Sequence, residues 1–221
     1  MLTYTINSPI QQTEQINGYY LLSFSIEAEP SIEQLLNCRC HLEGIPDSNM
    51  ALFQMPNKGT KSYRFLSRHP LPEQTLNAKK QTQLVVENNY STTFALPENN
   101  QPLMILAEAD FIANAFALAK TREHHKSAAT IVFMETDTFP FMPKPARFWA
   151  AEMPDEAIGA STLLEDWGIM NRMASNNLIA GCYHGSLLEL FKEWKSKTAN
   201  LEAWQLAVLA EEKQQAIYHQ A

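Results

Sequence analysis

The stretch Pro102-Leu-Met-Ile-Leu-Ala-Glu-Ala-Asp-Phe-Ile-Ala-Asn114 decides the fold. Residues 103–107 form a short, unbroken apolar run, the pattern of a strand buried on both faces of a parallel sheet. From Phe111 to Lys120 the chain is alanine-rich, with apolar residues at helical spacing. Strand, tight turn and helix in that order is the layout of a nucleotide-binding half-domain. Such a site needs glycines in the turn. They admit positive φ and let backbone N–H groups approach a pyrophosphate at the helix N-terminus. Here the turn reads Glu108-Ala109-Asp110, so two carboxylates stand where an anion would dock.

Downstream of this stretch, strands are expected over residues 129–134, 146–150 and 178–182. Helices are expected over 163–166, 186–197 and 200–218. Ser186 and Glu189 have the spacing of a capping box, and Leu187, Leu190, Phe191 and Trp194 form the apolar stripe behind them. In the final helix Leu201, Trp204, Val208 and Leu209 would face inward. Strands alternating with helices predict an α/β half with a parallel sheet. Upstream, the chain reads as β-rich, with strands over 1–6, 19–26, 38–42, 50–55, 62–66, 83–87 and 92–96. Asn17-Gly18, Pro46-Asp47-Ser48-Asn49 and Pro56-Asn57-Lys58-Gly59 separate them with turn chemistry. One helical turn over 31–36 carries Ser31 as cap with Gln34 three residues on. The predicted fold class is α+β in two domains. An N-terminal antiparallel β-barrel over 1–98 is followed by a small α/β, Rossmann-like parallel-sheet domain over 99–221.

Composition narrows the function. The chain has 221 residues, 45% hydrophobic and 19% charged, with a net charge of −7. That balance supports a buried core and argues against nucleic acid or an anionic membrane as the main partner. Nothing approaches the roughly 20 apolar residues of a membrane span. The start of the chain lacks the basic and apolar blocks of a signal peptide. Three cysteines do not make a disulfide framework, so a cytoplasmic location is expected.

A barrel followed by a short α/β half resembles the ferredoxin–NADP reductase superfamily, and four motifs carry the resemblance. The family's flavin motif is Arg-x-Tyr-Ser on a barrel strand, and Arg64-Phe65-Leu66-Ser67 is similar to it with Leu66 in the tyrosine's place. A Gly-Pro-x-Gly turn, a Phe and a Leu-Pro close the family's barrel. Here Asn88-Asn89-Tyr90-Ser91 stands for the glycine turn, before Phe94 and Leu96-Pro97. The glycine-rich nucleotide loop aligns with Glu108-Ala109-Asp110-Phe111-Ile112-Ala113-Asn114, keeping only Ile112 and Ala113. The late Cys-Gly-Pro motif falls at Gly181-Cys182-Tyr183. A second flavin-phosphate turn would lie between Arg68 and Lys80, where the segment looks trimmed.

The resemblance implies FAD or FMN against the barrel, with Arg64 on its phosphate, Ser67 at its ring or phosphate, and Tyr63 or Phe65 replacing the lost stacking ring. Strand alternation, however, sends Tyr63, Phe65 and Ser67 to one face and Arg64 and Leu66 to the other. Cys182, with Tyr183 and His184, would line a nicotinamide pocket at a strand's carboxyl end, where a nearby helix N-terminus lowers a thiol's pKa. The alternative for Cys182 is a buried, inert thiol. Glu135 and Asp137 fit either a ribose hydroxyl or the polar end of a strand. Lys144 and Arg147 sit in a proline-locked segment that would contact a phosphate or a partner, or bridge two elements. His124-His125 reads as a solvated helix end. Cys38-Arg39-Cys40-His41 supplies too few ligands for zinc or an iron–sulfur cluster, so no metal is expected.

Two functions follow. The first is a ferredoxin-reductase-like, flavin-dependent NAD(P)H oxidoreductase or electron-transfer protein with an impaired NAD(P)H loop, working with a protein electron-transfer partner or as a homo-oligomer. The second is a non-catalytic relative that binds a partner without nucleotide.

Overall fold

The computed structural model describes residues 1–45, 47–57, 61–76, 82–87, 96–98, 100–123, 128–150 and 152–221. The chain divides into two compact units, Met1–Ala95 and Leu96–Ala221.

In the first unit the strands are β1 (Leu2–Ile6), β2 (Gln11–Glu14), β3 (Tyr20–Ser25), β4 (Arg39–Leu42), β5 (Met50–Gln54), β6 (Ser62–Ser67) and β7 (Thr82–Glu87). They form one seven-stranded sheet in the order β1-β7-β4-β5-β6-β3-β2, with every pairing antiparallel. Side chains alternate as the pleat requires. Leu22, Phe24, Leu42, Leu52, Phe65 and Leu84 turn inward and are fully buried, each contributing about 1.5–3 kcal/mol of transfer free energy. Asn17 and Gly18, both at positive φ, turn the chain from β2 into β3. A bridge between Ile6 and Ile26 ties the end of β1 to the end of β3. The sheet is therefore barrel-like but not closed, with β1 and β2 at its two edges. Helix α1 (Ile32–Leu35) opens on the Ser31–Gln34 capping box, and α2 (Glu73–Leu76) precedes β7. The strand expected over 92–96 lies outside the described residues, apart from Leu96. So do Asn88 to Ser91, Pro46, Lys58, Gly59 and the pair His124-His125.

The second unit contains β8 (Leu103–Glu108), α3 (Ile112–Thr121), β9 (Thr130–Glu135), β10 (Lys144–Pro145), β11 (Gly159–Ala160), α4 (Thr162–Asp166) and β12 (Met170–Ser175). It continues with β13 (Tyr183–His184), α5 (Leu187–Lys197), β14 (Gln205–Leu209) and α6 (Glu212–Gln220). Five strands make a parallel sheet in the order β13-β12-β9-β8-β14, and β10 and β11 form a separate two-stranded ribbon. On one face lies α3, buried at every residue from Ile112 to Ala119, whose alanines let helix and sheet approach closely. On the other, Leu187, Leu190, Phe191 and Trp194 of α5 pack over Met104, Leu106, Ile131 and Phe133. Both faces are covered, which explains the unbroken apolar runs of β8 and β9.

Three sequence expectations are corrected here. Residues 146–150 are not a strand. Only Lys144–Pro145 pairs, and beyond it Arg147 is tied to α4 by its backbone N–H and its Nε, both donating to Glu165. Residues 178–182 are a turn, with Leu178 90% exposed, and the sheet strand is the earlier Met170–Ser175. Residues 200–218 are not one helix. They hold a 3-10 turn (Leu201–Ala203), edge strand β14 and the separate helix α6.

Candidate functional site

The candidate residues fall in two places, one in each unit. In the first, β6 splits its candidate residues as alternation requires. Tyr63 and Phe65 point into the core. The Tyr63 hydroxyl donates to the Pro30 carbonyl at 3.3 Å, and Phe65 stacks on Phe24 with ring centres 5.1 Å apart. Neither ring offers an open face, which corrects the idea that they replace a stacking tyrosine. Ser67 is also buried, its hydroxyl donating to the His69 carbonyl at 2.9 Å and accepting the His69 N–H at 3.1 Å. Arg64 alone is exposed, its guanidinium donating to Gln54 Oε1 at 3.3 Å, while Leu66 on the same strand face is buried. The structure thus separates Arg64 from Tyr63, Phe65 and Ser67.

In the second unit the carboxyl ends of β8 and β9 bring two acids together. Glu108 and Glu135 are directly paired in register and belong to the sheet face that α5 covers. In an open α/β sheet ligands sit outside the carboxyl ends of strands, where the strand order reverses. That reversal is at β8, flanked by β9 on one side and β14 on the other. The turn that follows holds Ala109 at φ 50°, the left-handed conformation that a nucleotide loop assigns to glycine. A methyl group and two acids, those of Ala109, Glu108 and Asp110, stand at this turn.

The carboxylates are already engaged. Tyr218, 2% exposed on α6, donates its hydroxyl to Glu108 Oε1 in a short hydrogen bond. Glu135 Oε2 accepts the Leu187 N–H at 2.6 Å, the first amide of α5, and its Oε1 accepts from Asn176 Nδ2 at 3.1 Å. Ser186 and Glu189 complete the cap of the same helix. The N-terminus of α5 is therefore satisfied by two carboxylates and a hydroxyl, the groups its dipole favours. Burial pushes the Glu108 carboxyl above its ordinary range, while the Tyr218 hydrogen bond pulls the other way. Burial likewise raises Glu135, opposed by the Leu187 amide and reinforced by the charges of Glu108, Asp137 and Glu189. Burial, and then the bond to Glu108, push Tyr218 upward.

Cys182 does not match its expected reactive role. It is buried, and burial raises its thiol to about 11 rather than lowering it. Beside it Tyr183 is half-buried in β13, and His184 is exposed. Gly181, at φ 83°, lies so close to Gly159 that a Cβ on Gly159 would meet the Gly181 carbonyl oxygen at 2.9 Å. The Cys-x-Cys segment is equally inert, with Cys38 raised to about 11 and Cys40 higher still by burial. Among the described residues no group of three or more His, Cys, Asp or Glu is placed to hold a metal ion, and no helix is long and apolar enough to cross a membrane.

Sequence reading missed Tyr218 and the buried polar pair of β12. Asn171 donates to the Ser161 and Ile169 carbonyls and accepts the Ser161 N–H. Arg172 donates to the carbonyls of Asn171 and Phe148, both at 2.7 Å. With the Arg147–Glu165 and Arg147–Asp166 pairs, these bonds fix the segment that carries Trp149, which is 88% exposed beside Phe148. Tyr218 stands next to Ile217 in Glu212–Gln220, and nothing local marks which of the two is buried.

No protein-family model matches the chain, and no curated protein is significantly similar to it in sequence. Solved structures are similar in fold. The ferredoxin reductase of carbazole 1,9a-dioxygenase, in its FAD apo form, is 10% identical with a TM-score of 0.57, the match covering 99% of this chain and 61% of that one. The ferredoxin–NADP+ reductase from Plasmodium falciparum is 11% identical with a TM-score of 0.56, over 100% of this chain and 89% of that one. A cytochrome P450 reductase of Amycolatopsis is 10% identical with a TM-score of 0.54, over 94% and 70%.

Proposed function

We propose that this chain, which has the fold of the ferredoxin–NADP reductases, is a non-catalytic relative that binds a protein partner and does not take NAD(P)H in the turn after β8. The observation that carries this reading is the Tyr218–Glu108 hydrogen bond. It engages the Glu108 carboxylate at the carboxyl end of β8, beside the turn in which a dinucleotide's pyrophosphate would have to meet backbone amides. A diphosphate there would face Glu108 and Asp110 in a partly desolvated crevice, and like charges at such separations repel by several kcal/mol. The raised, buried thiol of Cys182 agrees, since it offers no thiolate beside a nicotinamide. Partner binding draws support from Trp149, Phe148 and Met142, which are exposed on a segment braced by Pro140, Pro143 and Pro145. Exposed aromatic side chains of this kind serve as anchors at interfaces. Three free cysteines suit a reducing, cytoplasmic setting.

One observation favours a second reading. The exposed Arg64 keeps the cation of the flavin motif, so an electron-transfer role with FAD or FMN against it remains as the alternative. Two measurements separate the readings. Calorimetry of the whole chain with NADH should give an affinity weaker than about 1 mM, and a micromolar affinity would overturn the proposal. The purified protein should show no flavin absorption. A yellow protein that loses its colour in Arg64→Ala would install the alternative.

A further inference from the structure

Helix α6 differs from the other long helices of its unit. Of its nine residues, Glu212–Gln220, only Tyr218 is buried, whereas α5 buries Leu187, Leu190, Phe191 and Trp194. Ile217, the other large apolar residue of α6, is 42% exposed. An isolated helix of this length is marginal in water, so its order depends on what it docks against. The Tyr218 ring packs edge-on against Phe191 with centres 6.3 Å apart, and its hydroxyl ends on Glu108. At the other end Gln215 Nε2 donates to the Ala210 carbonyl at 2.8 Å, a bond within the connection from β14.

We propose that α6 is a latch over the carboxyl end of β8, seated by the one buried side chain of the helix, Tyr218, which opens as a unit while the sheet and α5 stay folded. Opening withdraws the ring from Phe191 and frees the Glu108 carboxylate at the mouth of the crevice. The acceptor of the latch lies on β8, and one aromatic carries its apolar contact. Loss of that contact costs the helix its only buried residue and costs the sheet only the edge of a cluster that Trp194, Leu190, Phe133 and Leu106 still fill. This goes beyond the partner-binding reading and stands or falls separately from it, because it concerns motion within the free chain and no ligand enters the test.

Hydrogen exchange followed by mass spectrometry on the full chain tests it. In the wild-type protein the amides of Glu212–Gln220 should exchange as one faster class than those of Leu187–Lys197. Tyr218→Phe removes only the hydroxyl and should speed exchange in α6 by about tenfold or more, the worth of a hydrogen bond to a charged group. Tyr218→Ala should bring α6 close to the rate of an unstructured peptide. In both variants α5, β9 and β12 should keep wild-type rates. Equal protection of α6 and α5 in the wild type would overturn the proposal. So would unchanged α6 exchange in Tyr218→Phe, or acceleration spread evenly through α5 and the sheet, which would make α6 part of the cooperative core. Glu108→Gln keeps an acceptor for the hydroxyl, so its α6 should remain more protected than that of Tyr218→Ala. The reverse order would remove Glu108 as the latch's seat.

Discussion

Replacing Ala109 by glycine should leave the second unit as stable as before or more so, and replacing it by valine should weaken it. At φ 50° Ala109 holds its methyl group against the following carbonyl, a conformation that costs an L-residue about 1–2 kcal/mol. Glycine lifts that strain but enters folding with more freedom to lose, about 0.5–1 kcal/mol. The balance is a gain of about 0–1.5 kcal/mol. Valine, branched at Cβ, is a genuine outlier at this φ and should cost about 1–3 kcal/mol. Ala109 is exposed, so neither change creates a cavity or a clash in the core. The reporter is already in place, because the four tryptophans, Trp149, Trp167, Trp194 and Trp204, all lie in the second unit. Urea denaturation followed by their fluorescence reads that unit without interference from the first. A glycine variant weaker than wild type by 1 kcal/mol, or a valine variant no weaker than the glycine one, would show that the turn does not hold a left-handed residue.

Two further outcomes follow from the same unit. Burial raises Glu108 and Glu135 above the ordinary carboxylate value of 4.5. A carboxyl raised on folding contributes stability that is fully present below the unfolded value and lost as pH rises through the folded one. The urea midpoint should therefore fall from about pH 4.5 upward, and Glu108→Gln should flatten that fall while matching wild type at the acid end; parallel profiles for the two proteins would refute the assignment. Cys182, buried with its thiol near 11, should react with iodoacetamide at neutral pH at least tenfold more slowly in the native chain than in urea, as judged by peptide mass spectrometry. Comparable rates would mean an accessible, activated thiol.

What the sequence disclosed, and what it hid, follows from the kinds of force involved. β3, β6, β8 and β9 were legible because each buries a periodic or continuous apolar pattern, and the caps of α1 and α5 because the chemistry of a cap is local. β12 was hidden because Asn171 and Arg172 sit in it, and their burial is tolerable only through partners such as Ser161 and the Phe148 carbonyl that are distant in sequence. Residues 178–182 misled because they are apolar, yet they turn around the Gly159–Gly181 approach instead of pairing. In 200–218 the spacing of Leu201, Trp204 and Val208 fits a helix, but the free edge of β8 claims Gln205–Leu209 as a strand. At the candidate site, alternation by itself divided Arg64 from Tyr63 and Phe65. The Tyr218–Glu108 contact joins positions 110 residues apart and has no local signature.

The place of β14 beside β8 has a consequence for biosynthesis. Gln205 and Gln101, 104 positions apart, bond to each other at the start of that pairing. Until the ribosome has delivered β14, the most hydrophobic strand of the unit presents a bare row of amides and carbonyls to other nascent chains, the circumstance that invites aggregation. A premature stop anywhere between α5 and β14 would thus yield a sticky fragment rather than a slightly shortened protein, and expression of such a fragment should be limited by chaperone capacity.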